Sequence, residues 1–182
     1  MTRPRLIAAS IYIAVFETLK DSVIGRIRDF FWRGFDESGD KIDPKYQSDV
    51  LARHTSPVYA SLDWLKKMNA IDDGDVAAFD RVKGCRNTLA HKLFSMLGSE
   101  GLPSDFERCF NEMVALLRKI EVWWITNVEI PTNPDYDGQD IDEGGIVPGP
   151  LVSIQLLRDI ALGDDEQSRF YYNEFRKRSG GG

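Results

Sequence analysis

The chain has 182 residues, of which 42% are hydrophobic and 29% charged, and its net charge is -6. That length supports one domain with a proper core, and the composition is too apolar for a disordered chain. The acidic balance argues against wholesale coating of nucleic acid, and two cysteines, Cys85 and Cys109, are too few for a disulfide framework.

The run LIAASIYIAVF near the N-terminus is apolar, but Glu17, Lys20 and Asp21 follow it at once. It is too short to span a bilayer and no small-residue cleavage site follows, so a cytoplasmic protein without membrane contact is expected. Tyr12, Phe16, Leu19, Val23, Ile27 and Phe30 recur at helical spacing. They predict a long first helix, with Pro4 in its first turn and Gly34 stopping it after Trp32. Ile7, Ile11 and Val15 add apolar surface beside that stripe, more than one partner helix needs, which favours a homodimer.

DESGDKIDP then reads as a loop, with a short helix over 45–53. Ser56-Pro57 starts another helix with Val58, Leu62 and Leu65 on one face, and Asp75 is placed to cap the next, over 76–97. GSEGLPSD separates it from a helix carrying Phe106, Phe110, Met113, Leu117, Ile120 and Trp124. WWITNVEI is ambiguous between helix and strand. Residues 128–150 hold Glu129, Asp135, Asp137, Asp140, Asp142 and Glu143 without one Lys or Arg. Their spacing does not fit an EF-hand, so the segment reads as a solvated loop, with a gate over a basic groove as its sharper use. Helical pattern resumes over 151–162 and again, more polar, over 165–177.

The expected fold is all-α: an up-down bundle of four main helices over 1–128, with short additional helices. The acidic Pro/Gly loop occupies 129–150, C-terminal helices over 151–178 pack on the bundle, and 179–182 form a flexible tail. No cofactor motif and no metal ligand set is legible.

GCRNTLAHKLF, residues 84 to 94, carries the chemistry. Residues 81–99 contain Arg81, Lys83, Arg86 and Lys92 and no acid. On an ideal helix Arg86 falls at the edge of the core stripe made by Val82, Leu89, Leu93 and Met96. Asn87 and His91, one turn apart, face away from it, and Arg86 and His91 point about 140° apart. Either Arg86 reaches around a turn distorted at Gly84, or the pair meets in a groove between two copies of this helix. His54 reads as a loop histidine, Cys85 as a small buried residue, and Trp123-Trp124 and Phe30-Phe31-Trp32 as core or interface anchors.

The Arg86-Asn87-x3-His91 pattern resembles the R-x4-6-H signature of the HEPN superfamily, in its R-N-x3-H form. The likeness covers the motif, its place late in the second helical hairpin and the all-α layout of residues 1–128. It implies a metal-independent endoribonuclease of toxin or phage-defence type, working as a homodimer whose two motifs share one cleft. An antitoxin or defence-system protein is then an expected partner. Arg86 and His91 are the implied catalytic pair, with Asn87 in support and Lys83, Arg81 and Lys92 as candidate RNA contacts. The residue types suit the reaction: histidine transfers protons near neutral pH, and arginine offers a cationic fork to the charged phosphorane oxygens. Leu93 stands where toxins paired with nucleotidyltransferase antitoxins carry tyrosine, so the likeness does not extend to regulation by tyrosine modification. A non-catalytic module binding RNA, a nucleotide or a partner protein is the alternative.

Overall fold

A computed structural model describes residues 2–37, 39–95 and 101–162. They form six α-helices and one small hairpin, so the chain is mostly helical as expected. Helix α1 (Thr2–Phe30) packs against α2 (Pro57–Lys67), α3 (Asp73–Ser95), α4 (Phe106–Trp124) and α6 (Gly149–Leu162). The short α5 (Ile130–Thr132) follows α4 through a wider helical turn at Ile125–Glu129, which resolves WWITNVEI as helix. No helix among the described residues is long and apolar enough to cross a membrane.

Tyr12, Phe16, Leu19, Val23 and Ile27 are buried as their spacing predicts. Ile11 and Val15 are buried too, and Ile7 packs on the same core. The apolar excess of α1 is therefore covered within the chain, by helices on several sides including α6, and is no longer an argument for a dimer.

The end of α1 departs from expectation. The helix stops at Phe30, whose side chain is 51% exposed, while Phe31 turns inward and is only 8% exposed. Trp32–Asp36 (β1) and Gly39–Ile42 (β2) then pair antiparallel, where the sequence reads as helix end and loop. Gly34 and Gly39 take φ of +130° and +108°, conformations closed to most side chains. Ion pairs Lys41–Asp36 and Arg28–Asp40, both 2.7 Å, hold the hairpin together and to α1. These contacts depend on charges that helical periodicity does not register.

The segment 45–53 is helical, as a wide turn at Tyr46–Val50 and a tight one at Leu51–Arg53, with Val50 buried. Helix α2 begins with Pro57 in its first turn and buries Leu62, Trp64 and Leu65. It ends on Asn69 at φ +58°, where Ala70 N donates to Leu65 O at 2.9 Å and Asn69 N to Lys66 O at 3.0 Å.

Helix α3 begins three residues before the sequence-based start, at Asp73. Asp72 N donates to the Asp75 carboxylate at 2.9 Å and Asp75 N to the Asp72 carboxylate at 3.0 Å. The cap is this reciprocal pair rather than Asp75 alone, and Lys119 of α4 bridges both acids. On α4, Met113, Leu117, Ile120 and Trp124 are buried, and Phe106 and Phe110 stack beside Tyr12. Helix α6 buries Ile154 against the bundle. The expected helix over 165–177, the tail and Met96 lie outside the described residues.

Candidate functional site

Arg86 sits at the core edge of α3, as the wheel predicts. Its side chain is 33% exposed. One terminal nitrogen donates to Glu17 of α1 at 3.1 Å, and the guanidinium lies 5.7 Å from the Phe16 ring centroid. Its Nε is buried and finds no hydrogen-bond partner among the described residues. The arginine is thus held through one terminal nitrogen, and its unpartnered Nε faces the interior of the protein and not the solvent.

His91 and Asn87 are exposed, and no hydrogen bond joins them among the described residues. Asn87 therefore does not fix the His91 tautomer here. Helical dihedrals run unbroken through Gly84 to His91, and the first departure is Lys92, at φ -109° and ψ 15°. A Cβ at Gly84 would meet nothing, so this glycine serves no close approach. Of the two ways to bring the pair together, reaching around a distorted Gly84 turn is not the one adopted. Arg86 and His91 of one chain point to different faces.

The freedom from acids seen along 81–99 does not survive folding. Arg81 forms a forked pair with Glu112 of α4, at 2.9 and 3.1 Å. Lys83 donates to the Tyr59 hydroxyl at 3.2 Å and lies 4.8 Å from that ring's centroid, and Tyr59 donates in turn to Asp80 at 2.6 Å. Lys92 is exposed. His54 also packs on Tyr59, ring centroids 5.4 Å apart, and its Nδ1 accepts from Ser56 N at 2.9 Å. Tyr59, Asp80, Glu112 and Glu17 carry no motif, so sequence reading missed them. Only Glu17, in the polar run that closes the first apolar stretch, gave a faint signal.

Partial burial pushes the Glu17 carboxyl up, and the Lys20 and Arg86 cations outweigh it, leaving the group below its ordinary value. Glu17 is thus ionised at neutral pH, and its hold on Arg86 is lost only as pH falls through that depressed value. A phosphate must compete with this carboxylate for the guanidinium. Glu17→Gln is expected to tighten RNA binding several-fold at neutral pH, on the scale of about 1 kcal/mol for an exposed pair. The difference should vanish at acid pH; filter binding across pH measures it, and equal affinity at pH 7 overturns it.

Among the described residues, no hydrogen bond or ion pair joins the acidic segment 129–150 to Arg81, Lys83, Arg86 or Lys92. Arg118 of α4 donates to the carbonyls of Gly144 and Ile146 at 3.3 and 3.4 Å, which pins this part of the loop to α4. The expected gate over the basic segment has no such contact to support it.

The two cysteines meet. Cys85 of α3, Cys109 of α4 and Asp105 at the start of α4 bring their donor atoms within 4.8 Å of one another. Burial pushes both thiols up, Cys109 to about 11 with Asp105 adding to the effect, so both are protonated at neutral pH and neither is poised as a nucleophile. This cluster was not singled out from sequence: Asp105 and Cys109 share a helical spacing of four, but their meeting with Cys85 depends on the packing of α3 on α4.

No family model, characterised protein or solved structure matches the chain.

Proposed function

We propose that the chain is a metal-independent endoribonuclease in which Arg86 of one protomer and His91 of a second share each cleavage centre. The observation that carries this reading is the state of Arg86, a guanidinium one-third exposed that hydrogen-bonds Glu17 through one terminal nitrogen, about one and a half helical turns from an exposed imidazole. His91 takes the proton of the RNA 2′-hydroxyl as that oxygen attacks phosphorus. The bond from phosphorus to the 5′ oxygen breaks, and the imidazolium returns the proton to the leaving oxygen. Arg86 neutralises the charge that builds on the non-bridging oxygens. The products are a 2′,3′-cyclic phosphate and a 5′-hydroxyl, a route open to RNA and closed to DNA. A groove of about 360 Å³ along α1, lined by Glu17, Lys20, Asp21, Ile24, Gly25 and Arg28, adjoins Arg86 through Glu17 and leaves room for an approaching strand.

The second reading is a module that binds RNA, a nucleotide or a partner protein without cutting; the occupied state of Arg81 and Lys83 removes two candidate RNA contacts and favours its partner-protein form. Total RNA incubated with wild type, Arg86→Ala and His91→Ala in a chelator separates the two. Wild type is expected to produce cyclic-phosphate ends and both variants none. Cleavage that survives both changes places the centre elsewhere, and an inert wild type that still binds RNA favours the binding module.

A further inference from the structure

Cys85 lies mid-way along α3, and Asp105 and Cys109 stand one turn apart at the start of α4, so two neighbouring helices supply three soft or anionic donors at one point. Asp105 occupies the N-cap of α4 yet makes no side-chain cap hydrogen bond. An aspartate there ordinarily accepts from the first-turn amides. Here the Cys109 thiol donates to Asp105 Oδ2 at 3.6 Å, and Arg108 approaches the same oxygen at 3.6 Å. The carboxylate is thus turned from its local backbone toward the thiols.

We propose that Cys85, Cys109 and Asp105 form a binding site for a thiophilic divalent cation of the zinc class, which braces α3 against α4 one residue from Arg86. The dimensions fit. In a tetrahedral zinc site, with Zn–S about 2.3 Å and Zn–O about 2.0 Å, the S···O edge is about 3.5 Å and the S···S edge about 3.8 Å. The observed S···O separation is 3.6 Å, and the three donors already lie within 4.8 Å of each other. The edges from Cys85 Sγ to Cys109 Sγ and to Asp105 have to shorten by no more than about 1.3 Å, within reach of χ1 adjustment.

Access and charge fit as well. The Asp105 side chain is 46% exposed, so the ion enters past it and a water completes the coordination. Both thiols are buried, which shields the bonds to sulfur. Binding exchanges two S–H protons for two metal–sulfur bonds, so two protons leave per ion and nothing is oxidised or reduced. Behind the site, the Tyr12 hydroxyl sits against Cys85 while donating to Val82 O at 3.0 Å, and the Arg81 carbonyl lies 3.9 Å from Cys109 Sγ. These groups line the sulfurs before metal binds, and the Cys109 S–H···O contact to Arg81 is given up when the thiol loses its proton to the metal bond.

Full-length protein, stripped of metal and kept reduced by a phosphine, is titrated with Cd(II) alone. The expected result is one Cd(II) per chain, an ultraviolet thiolate-to-metal charge-transfer band, two protons released in weak buffer and a raised melting temperature. Zn(II) bound first should be displaced by Cd(II), with the band appearing as it leaves. Cys109→Ala should abolish the band, and Asp105→Asn, a change at a half-exposed side chain that leaves both sulfurs in the core, should weaken binding at least about tenfold. A reduced wild type that shows no band overturns the proposal. So does a band whose affinity is unchanged in Asp105→Asn, because the carboxylate is then no ligand. Neither result depends on whether the chain cleaves RNA.

Discussion

Mixing Arg86→Ala and His91→Ala protomers in equal amounts is expected to restore RNA cleavage that neither variant shows alone. Loss of a proton-transfer group or of the phosphate fork costs about 100-fold or more, so each variant by itself should be nearly silent. If each centre takes Arg86 from one chain and His91 from the other, a mixed dimer keeps one intact centre and loses the second. Random exchange makes half the dimers mixed, so the mixture should recover about a quarter of the wild-type rate. Single-turnover cleavage of a labelled RNA, with exchange verified by differently tagged chains, measures this. Absence of rescue despite verified exchange sinks the shared centre. The physical reason to expect rescue is the continuity of α3: its dihedrals are helical from Arg86 to His91, which keeps the two side chains on different faces.

Replacing Arg26 with methionine is expected to destabilise the fold by about 3–5 kcal/mol, the cost of stripping a buried charge of its counter-ion. Glu121 of α4 is 1% exposed. Arg26 of α1 donates to it at 2.5 Å, Ser22 donates to its other oxygen at 2.5 Å, and a further Arg26 nitrogen donates to Glu129 at 2.6 Å. The Glu121 contact also holds the Arg26 guanidinium above its ordinary, already high value. Without Arg26, the carboxylate keeps a single hydroxyl in an apolar surround, and desolvation wins over what remains. The loss is a large share of the 5–15 kcal/mol typical of a whole domain, and the melting temperature should fall by roughly 10 °C. Arg26→Met combined with Glu121→Leu should recover most of the loss, because a packed apolar pair has no charge to desolvate. Urea denaturation of the three proteins decides it. Equal destabilisation of single and double variants would show that volume, rather than charge, matters at this contact.

That network also marks where reading along the chain stops. Ser22 and Arg26 share a face of α1 at a spacing of four, and Glu121 follows Ile120 on the buried side of α4. Each is visible as a polar residue beside a core stripe. That they meet across 95 or more positions depends on how far α4 slides along α1, which no single-helix pattern contains. The candidate site behaves in the same way. The wheel places Arg86 at the core edge and His91 away from it, and both are found so. It has no means of assigning Glu17 to Arg86, Glu112 to Arg81 or Tyr59 to Lys83. The phenylalanines at the end of α1 show the converse limit. Phe30 fits the helical stripe better than Phe31, yet Phe31 is the buried one, because the chain leaves the helix there to pair as a hairpin.

Apolar spacing and capping residues therefore suffice for the helices, since a helix is held by contacts within four residues and by one apolar face. They suffice as well for the direction in which each residue of GCRNTLAHKLF leaves its own helix. Which partners those residues meet was decided by packing: the register of α3 against α1, α2 and α4 gave Arg86 and its neighbours their partners and brought Cys85 to Cys109 and Asp105. That register comes from close-packed side chains far apart in the chain, where a shift of one turn, about 5.4 Å, would exchange every partner without changing a single helical pattern.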